Sequence, residues 1–202
     1  MFDLVLRPVK ERVFAPVTRA LGQHVSPMAL TLAGFAAGVV AAVLVARGGY
    51  RAALVLWLIN RVLDGLDGSL ARAQGSQTDL GGYVDIVMDF VVYAAIPIAF
   101  VLASPGLPLA IAALVLIGSF YVNAASWMFL AAILERRDRG ARVHGELTSI
   151  TMPEGVIGGT ETIVLYTLFF LLPDHLVALF AAMSALVMLS VGLRLAWAAR
   201  RL

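Results

Sequence analysis

The chain has 202 residues, 61% of them hydrophobic and 14% charged, with a formal net charge of +2 and a mean hydropathy of +0.91. Soluble domains run about 45–50% apolar and about 25% charged, so this composition excludes an ordinary water-soluble fold and predicts one all-α membrane domain over residues 1–202. The absence of cysteine excludes a disulfide framework and thiolate metal ligands, and no nucleic-acid partner is expected.

The opening stretch MFDLVLRPVKERVF lacks the basic-then-apolar order of a cleaved signal peptide. Over residues 1–23, Leu4, Val5, Leu6, Val9, Val13, Phe14 and Val17 alternate with Arg7, Lys10, Arg12 and Arg19, the pattern of a short segment lying along an anionic membrane surface. Pro8 and Pro16 predict that this segment is not one unbroken helix. From residue 24 to 202 the chain reads as a bundle of six transmembrane helices, since about 20 apolar residues are needed to cross the hydrocarbon layer. The expected spans are Pro27–Ala46, Ala52–Ala71, Gly82–Ala103, Leu107–Leu134, Val156–Leu172 and His175–Ala198. Arg47-Gly48-Gly49, Gly75-Ser76, Ser104-Pro105-Gly106 and Pro173-Asp174 mark turns, and the polar segment Glu135–Gly155 separates the fourth span from the fifth.

Basic residues orient the bundle. Arg7, Lys10, Arg12 and Arg19 precede the first span, Arg72 follows the second, Arg136, Arg137, Arg139 and Arg142 follow the fourth, and Arg200 and Arg201 follow the sixth. The opposite loops carry only Arg47 and Arg51, so both termini are expected on the cytoplasmic side. Trp57, Trp127, Trp197, Tyr83 and Tyr166 read as an interfacial aromatic belt with no chemical role.

The stretch DGLDGSLARAQGSQTDLGGYVDIVMD, Asp64 to Asp89, breaks the apolar pattern and holds five of the thirteen acidic residues. Asp64 and Asp67 are three apart and Asp85 and Asp89 four apart, so each pair shares one helix face. A charge at mid-membrane costs about 2.5–3.5 kcal/mol, so four facing lipid approach ~10 kcal/mol, comparable with a whole domain's stability. Facing inward, four carboxylates repel unless cations join them, and oxygen ligands suit Mg²⁺, Mn²⁺ or Ca²⁺. Gly68 and Ala71 leave a small-residue groove beside this point, Arg72 is a fixed cation suited to phosphate, and Gly81 permits close helix approach. Metal ions, groove and Arg together predict a diphosphate site.

Asp64-Gly65-Leu66-Asp67-Gly68-Ser69-Leu70-Ala71-Arg72, then eight residues, then Gly81, Asp85 and Asp89, resembles the signature of the CDP-alcohol phosphatidyltransferases at every fixed position. The resemblance covers the chain's six-helix layout and implies an integral-membrane enzyme of phospholipid biosynthesis. Such an enzyme transfers a phosphatidyl group from a CDP-linked lipid, of CDP-diacylglycerol type, to the hydroxyl of a small polar alcohol and releases CMP. It implies that Asp64, Asp67, Asp85 and Asp89 bind one or two Mg²⁺ or Mn²⁺ ions and that Asp89 is also the general base. It places Thr31, Gly68, Ala71, Arg72 and Gly81 on the nucleotide and donor-lipid side, and implies a homodimer among membrane lipids. One departure is Pro27-Met28-Ala29-Leu30-Thr31, where many members have Asn after the proline, so a thioether replaces an amide near the base. A bacterial inner membrane, with the site on its cytoplasmic side, is the expected location.

For the acceptor, relatives that use a phosphorylated alcohol hold its phosphate with basic residues in the regions of Arg142 and Arg194, which are the candidates here. Snorkelling of Arg194 to the interface is the alternative. Glu161, a further ionisable group within a span, is suited to orienting a polyol hydroxyl or an amine. Two other functions remain open: a CDP-aminoalcohol phosphotransferase acting on a lipid alcohol, and a divalent-cation transporter. The transporter reading requires acids along a path to both sides, whereas these cluster near one side.

Overall fold

The computed structural model describes residues 2–137 and 157–202, with side chains described from residue 12 onward. Every regular element among the described residues is helical: α1 Phe2–Leu21, α2 Pro27–Ala46, α3 Tyr50–Gln74, α4 Asp79–Ala103, α5 Leu107–Arg136, α6 Gly159–Leu171 and α7 Leu176–Arg201, the last preceded by a 3₁₀ turn at Pro173–His175. The ends follow local chemistry. Ser26 caps α2, its hydroxyl accepting from the Ala29 N–H at 3.1 Å with Pro27 at the first helical position. Gly75, at φ 63°, closes α3 in the left-handed region, and its N–H and that of Ser76 return to the Arg72 and Ala71 carbonyls. Thr78 then caps α4, accepting from the Gly81 N–H at 3.0 Å, with Asp79 in the first turn against the positive helix end.

α1 is one continuous helix through Pro8 and Pro16, against the expectation of a break. Pro16 lies on the exposed face, where the carbonyl it leaves without an intrahelical donor is open to the surroundings. Pro97, within α4, is buried and is met differently. A proline there frees the carbonyl four residues back, at Tyr93, and the Tyr166 hydroxyl of α6 donates to that oxygen at 2.6 Å. A helix-breaking residue thereby becomes a link between two helices.

Among the described residues, four elements are long and apolar enough to cross a membrane: Pro27–Ala46, Asp79–Ala103, Leu107–Arg136 and Pro173–Arg201. The expected count of six is not reached by this measure. α3 has the length, but Arg51, Arg61, Asp64, Asp67 and Arg72 interrupt its apolar character. α6, with 13 residues, reaches about 20 Å against a hydrocarbon layer of ~30 Å. Leu32, Val40, Ile98, Leu114, Phe129 and Leu195 stand exposed on the four long helices, as lipid-facing side chains do.

The interior is a cluster of rings and aliphatic side chains from α2 to α7, with Trp57, Ile96, Phe100, Leu116, Tyr166, Phe169, Phe180 and Met183 fully enclosed. Trp57 stacks on Tyr166 at 5.1 Å and Phe169 meets Phe180 edge-on at 4.7 Å. Trp57 and Tyr166 are therefore core residues and not belt residues, whereas Tyr83 and Trp197 are exposed. The interior also explains how their polar atoms are tolerated, since the Trp57 indole N–H donates to the Thr167 hydroxyl at 3.3 Å.

α2 lies against α3 and α4 through Gly34 and Gly38, one turn apart on one face. A Cβ on Gly38 would fall 2.7 and 2.9 Å from the two Val92 methyls of α4, and one on Gly34 would fall 3.3 Å from Leu63 Cβ of α3. On α3 the ring-filled core stops at Trp57, and one turn onward the polar residues begin.

Candidate active site

α3 presents Asp64 and Asp67, α4 presents Asp85 and Asp89, and all four line one pocket, closed on the α2 side by Thr31, Gly34 and Phe35. Both pairs thus face the same pocket. Asp67 is the most enclosed, at 4% exposure; the Thr31 hydroxyl and the Gly68 N–H both donate to its carboxylate. Asp64 and Asp89 are about a quarter exposed, so their faces open to the pocket.

Arg61 supplies the cation within this group. Its Nη2 donates to Asp89 Oδ1 at 2.6 Å and its Nη1 to Asp89 Oδ2 at 3.3 Å, while Asp64 Oδ2 lies 3.7 Å away. Asn60, its neighbour in sequence, accepts from the Arg61 Nε at 2.7 Å and donates to the Gly34 carbonyl of α2 at 2.8 Å. Neither Asn60, Tyr93 nor the Gly34–Gly38 pair is evident as part of the site from sequence. The signal was present for the glycines, since small residues four apart in an apolar span mark close helix packing.

The donor-side residues divide. Arg72 folds back over Gly68, where an added Cβ would meet its Nη1 at 3.3 Å, and donates to the Ser69 hydroxyl at 3.1 Å. Ala71 is half-buried on the same helix end. Gly81 makes no close helix approach: a Cβ there would meet only the capping Thr78 hydroxyl, at 3.1 Å. Of the expected acceptor residues, Glu161 and Arg194 do not line the aspartate pocket. Glu161 accepts from the Gly158 N–H at 3.0 Å in the first turn of α6, and Arg142 lies outside the described residues. Arg194 is 5% exposed and does not snorkel; it donates to Asn123 Oδ1 at 3.1 Å and Ser126 Oγ at 3.2 Å, cross-linking α7 to α5.

The donor set fits a hard divalent cation in kind: carboxylate oxygens from two helices sharing one pocket, with Asp67 oriented by neutral donors. In this conformation, among the described residues, no three acidic side chains close tightly enough to enclose an ion. Thr31 orients one of the four carboxylates, so Thr31→Val, which keeps the shape and removes the hydroxyl, leaves a buried Asp67 oxygen without its donor. A loss of about 1–3 kcal/mol in stability is expected, read as a lower unfolding temperature in detergent.

A bundle of apolar helices with an inward-facing acid cluster beside an Arg and small residues defines a membrane-embedded enzyme of phosphoryl-group chemistry rather than a solvated acidic surface. The chain belongs to the CDP-alcohol phosphatidyltransferase family, whose model matches residues 24–199. It is 40% identical over 176 residues to the inner membrane protein YnjF of Escherichia coli, covering 86% of this chain and 83% of that one. It is 29% identical over 196 residues to the bifunctional IPC transferase and DIPP synthase of Thermococcus kodakarensis, covering 95% of this chain but only 43% of that protein. Among solved structures, the Mycobacterium tuberculosis phosphatidylinositol phosphate synthase PgsA1 with CDP-DAG bound shares the fold at a TM-score of 0.70 and 20% identity, over 92% of each chain. The same protein with manganese and citrate gives 0.69 at 20% identity, over 91% of this chain and 87% of that one.

Proposed function

We propose that this protein transfers a phosphatidyl group from a CDP-diacylglycerol-type lipid to the hydroxyl of a small polar alcohol, releasing CMP. The observation that carries the reading is the shared pocket of Asp64, Asp67, Asp85 and Asp89, built from two helices and closed by Thr31. Asp64, Asp67 and Asp85, with Asp89, would hold one or two Mg²⁺ or Mn²⁺ ions, which neutralise the diphosphate and make CMP a good leaving group. The acceptor oxygen attacks the lipid-linked phosphorus, its proton passes to Asp89, and the bond to CMP breaks. Arg72, with Gly68 and Ala71, lines the nucleotide side, where a guanidinium suits phosphate and small side chains leave room for a base.

In this reading α3 and the region of α6 serve as the remaining two of six spans around the site. The basic residues near the acid end support a pocket at the cytoplasmic face of a bacterial inner membrane. Location in an inner membrane is supported by the likeness to the Escherichia coli protein so described. Donor tails then stay in lipid while the nucleotide reaches water. Manganese in a structural relative supports a divalent requirement. A homodimer is part of the same proposal.

Reconstituted protein supplied with CDP-diacylglycerol and, in parallel, glycerol 3-phosphate, inositol phosphate, inositol, serine, ethanolamine and choline tests this by CMP release and product analysis. Chelation with EDTA is expected to reduce CMP release to background, and excess Mg²⁺ or Mn²⁺ to restore it. Release that persists undiminished in EDTA, or none with any acceptor, contradicts the proposal.

A further inference from the structure

The buried cation beside Asp89 carries a meaning that the Asp64–Asp89 pattern does not contain. Arg61 has 4% side-chain exposure, and its hydrogen-bonding edges and ring contacts are engaged on several sides. Its Nε is on Asn60, its Nη1 on the Tyr93 hydroxyl at 2.7 Å, and both Nη atoms are on Asp89. The Trp57 and Tyr93 rings flank its guanidinium carbon at 4.9 and 5.0 Å. Asn60 is itself tied to the Gly34 carbonyl, so α2, α3 and α4 all contribute to fixing this one side chain. A guanidinium so held is a rigid fork and not a mobile gate.

We propose that Arg61 is a positioning residue for Asp89 and the built-in counter-ion of the acidic pocket, which sets Asp89 apart from the other three carboxylates. Asp67 is held by a neutral hydroxyl and a backbone N–H, whereas Asp89 is held by a cation on both oxygens. Each carboxylate oxygen has two lone pairs. The fork takes one on each and fixes the carboxylate plane, which leaves the remaining pair on each oxygen at a set direction for the acceptor hydroxyl proton. The same charge lowers the cluster's demand for divalent cation, since it lies within 4 Å of both Asp64 and Asp89. This inference rests on the phosphatidyl-transfer reading for Asp89's role, but the counter-ion part does not.

The test pairs Mn²⁺ titration by electron paramagnetic resonance with steady-state CMP release, using wild type, Arg61→Lys, Arg61→Met and Tyr93→Phe. Arg61→Met removes the charge, so Mn²⁺ binding is expected to tighten by about tenfold or more while kcat falls by about 100-fold. Arg61→Lys keeps the charge and loses the fork: Mn²⁺ affinity stays within about threefold of wild type, and kcat falls about tenfold or more with the KM for CDP-diacylglycerol little changed. Tyr93→Phe, which removes one clamp and keeps the cation, follows Arg61→Lys in direction, and Arg61→Gln, which removes the charge but keeps a polar side chain, supplies the Mn²⁺ titration should Arg61→Met not fold. Wild-type kcat in both Arg61→Lys and Tyr93→Phe overturns the positioning role; Mn²⁺ binding that weakens in Arg61→Met overturns the counter-ion role. If wild type itself releases no CMP with any acceptor, the transfer reading fails, and the Mn²⁺ titration alone decides whether Arg61 is the pocket's counter-ion.

Discussion

Asp89→Asn is expected to lower CMP release by about 10²–10⁴-fold while CDP-diacylglycerol still binds within about an order of magnitude of wild type. The substitution keeps the side-chain shape and one oxygen for the Arg61 fork, so the α3–α4 contact survives. The group that accepts a proton does not. Because the amide retains a carbonyl oxygen, the pocket loses one charge and no volume, and donor binding through Asp64, Asp67 and Asp85 is affected less than turnover. The measurement is initial rate alongside ligand-induced thermal stabilisation by CDP-diacylglycerol in Mn²⁺. Turnover within tenfold of wild type would remove Asp89 from the reaction and move the search for a base to Asp64 or Asp85, which line the same pocket.

Gly38→Leu is expected to prevent assembly of the bundle, and Gly38→Ala to cost about 1–3 kcal/mol as overpacking. The reason is local and severe. A Cβ at this position falls 2.7 and 2.9 Å from the Val92 methyls and 3.2 Å from Asn60 Nδ2. Val92 is β-branched and held to essentially one rotamer in a helix, so it cannot turn aside. α2 must instead move away from α4, which carries Thr31 off Asp67 and Gly34 off Asn60. Folded yield and unfolding temperature in detergent measure the effect. Gly118→Ala is the control, since a Cβ there meets nothing within 4 Å, and a change within about 0.5 kcal/mol is expected. Equal behaviour of the two alanine variants would mean that α2 does not depend on this close packing.

Much of the site is legible in the sequence, and the reason is periodicity. Residues three and four apart on a helix share a face whatever surrounds them, so Asp64 with Asp67 and Asp85 with Asp89 were paired by spacing alone. The cost of charge in lipid turned those pairs inward. The limits of α2 were likewise written locally, by Ser26, Pro27 and Arg47-Gly48, and the expected span Pro27–Ala46 is the helix observed. By length and composition only four of the six expected spans stand out. α3 is polar because it carries the site, and α6 is short because Pro173 and Asp174 interrupt the apolar run.

What spacing cannot supply is the partner that arrives from elsewhere in the chain. Arg61 and Asp64 are three apart, the spacing that ordinarily pairs a cation with an acid, yet the close contact of Arg61 is to Asp89, 28 residues away, at 2.6 Å against 3.7 Å. Trp57 and Tyr166 sit where an aromatic belt is expected from sequence position, and only the packing of α3 against α6 shows them to be core. Pro97 looks like a defect until the Tyr166 hydroxyl reaches the carbonyl it frees. The amino-acid sequence by itself determined which acids share a face, where the long apolar helices run and which family the chain joins, because these depend on near neighbours and on transfer from water to lipid. Which cation holds which acid, and which glycine admits which methyl, was decided only when three helices closed to within van der Waals distance, because those contacts are set by side chains that no local rule brings together.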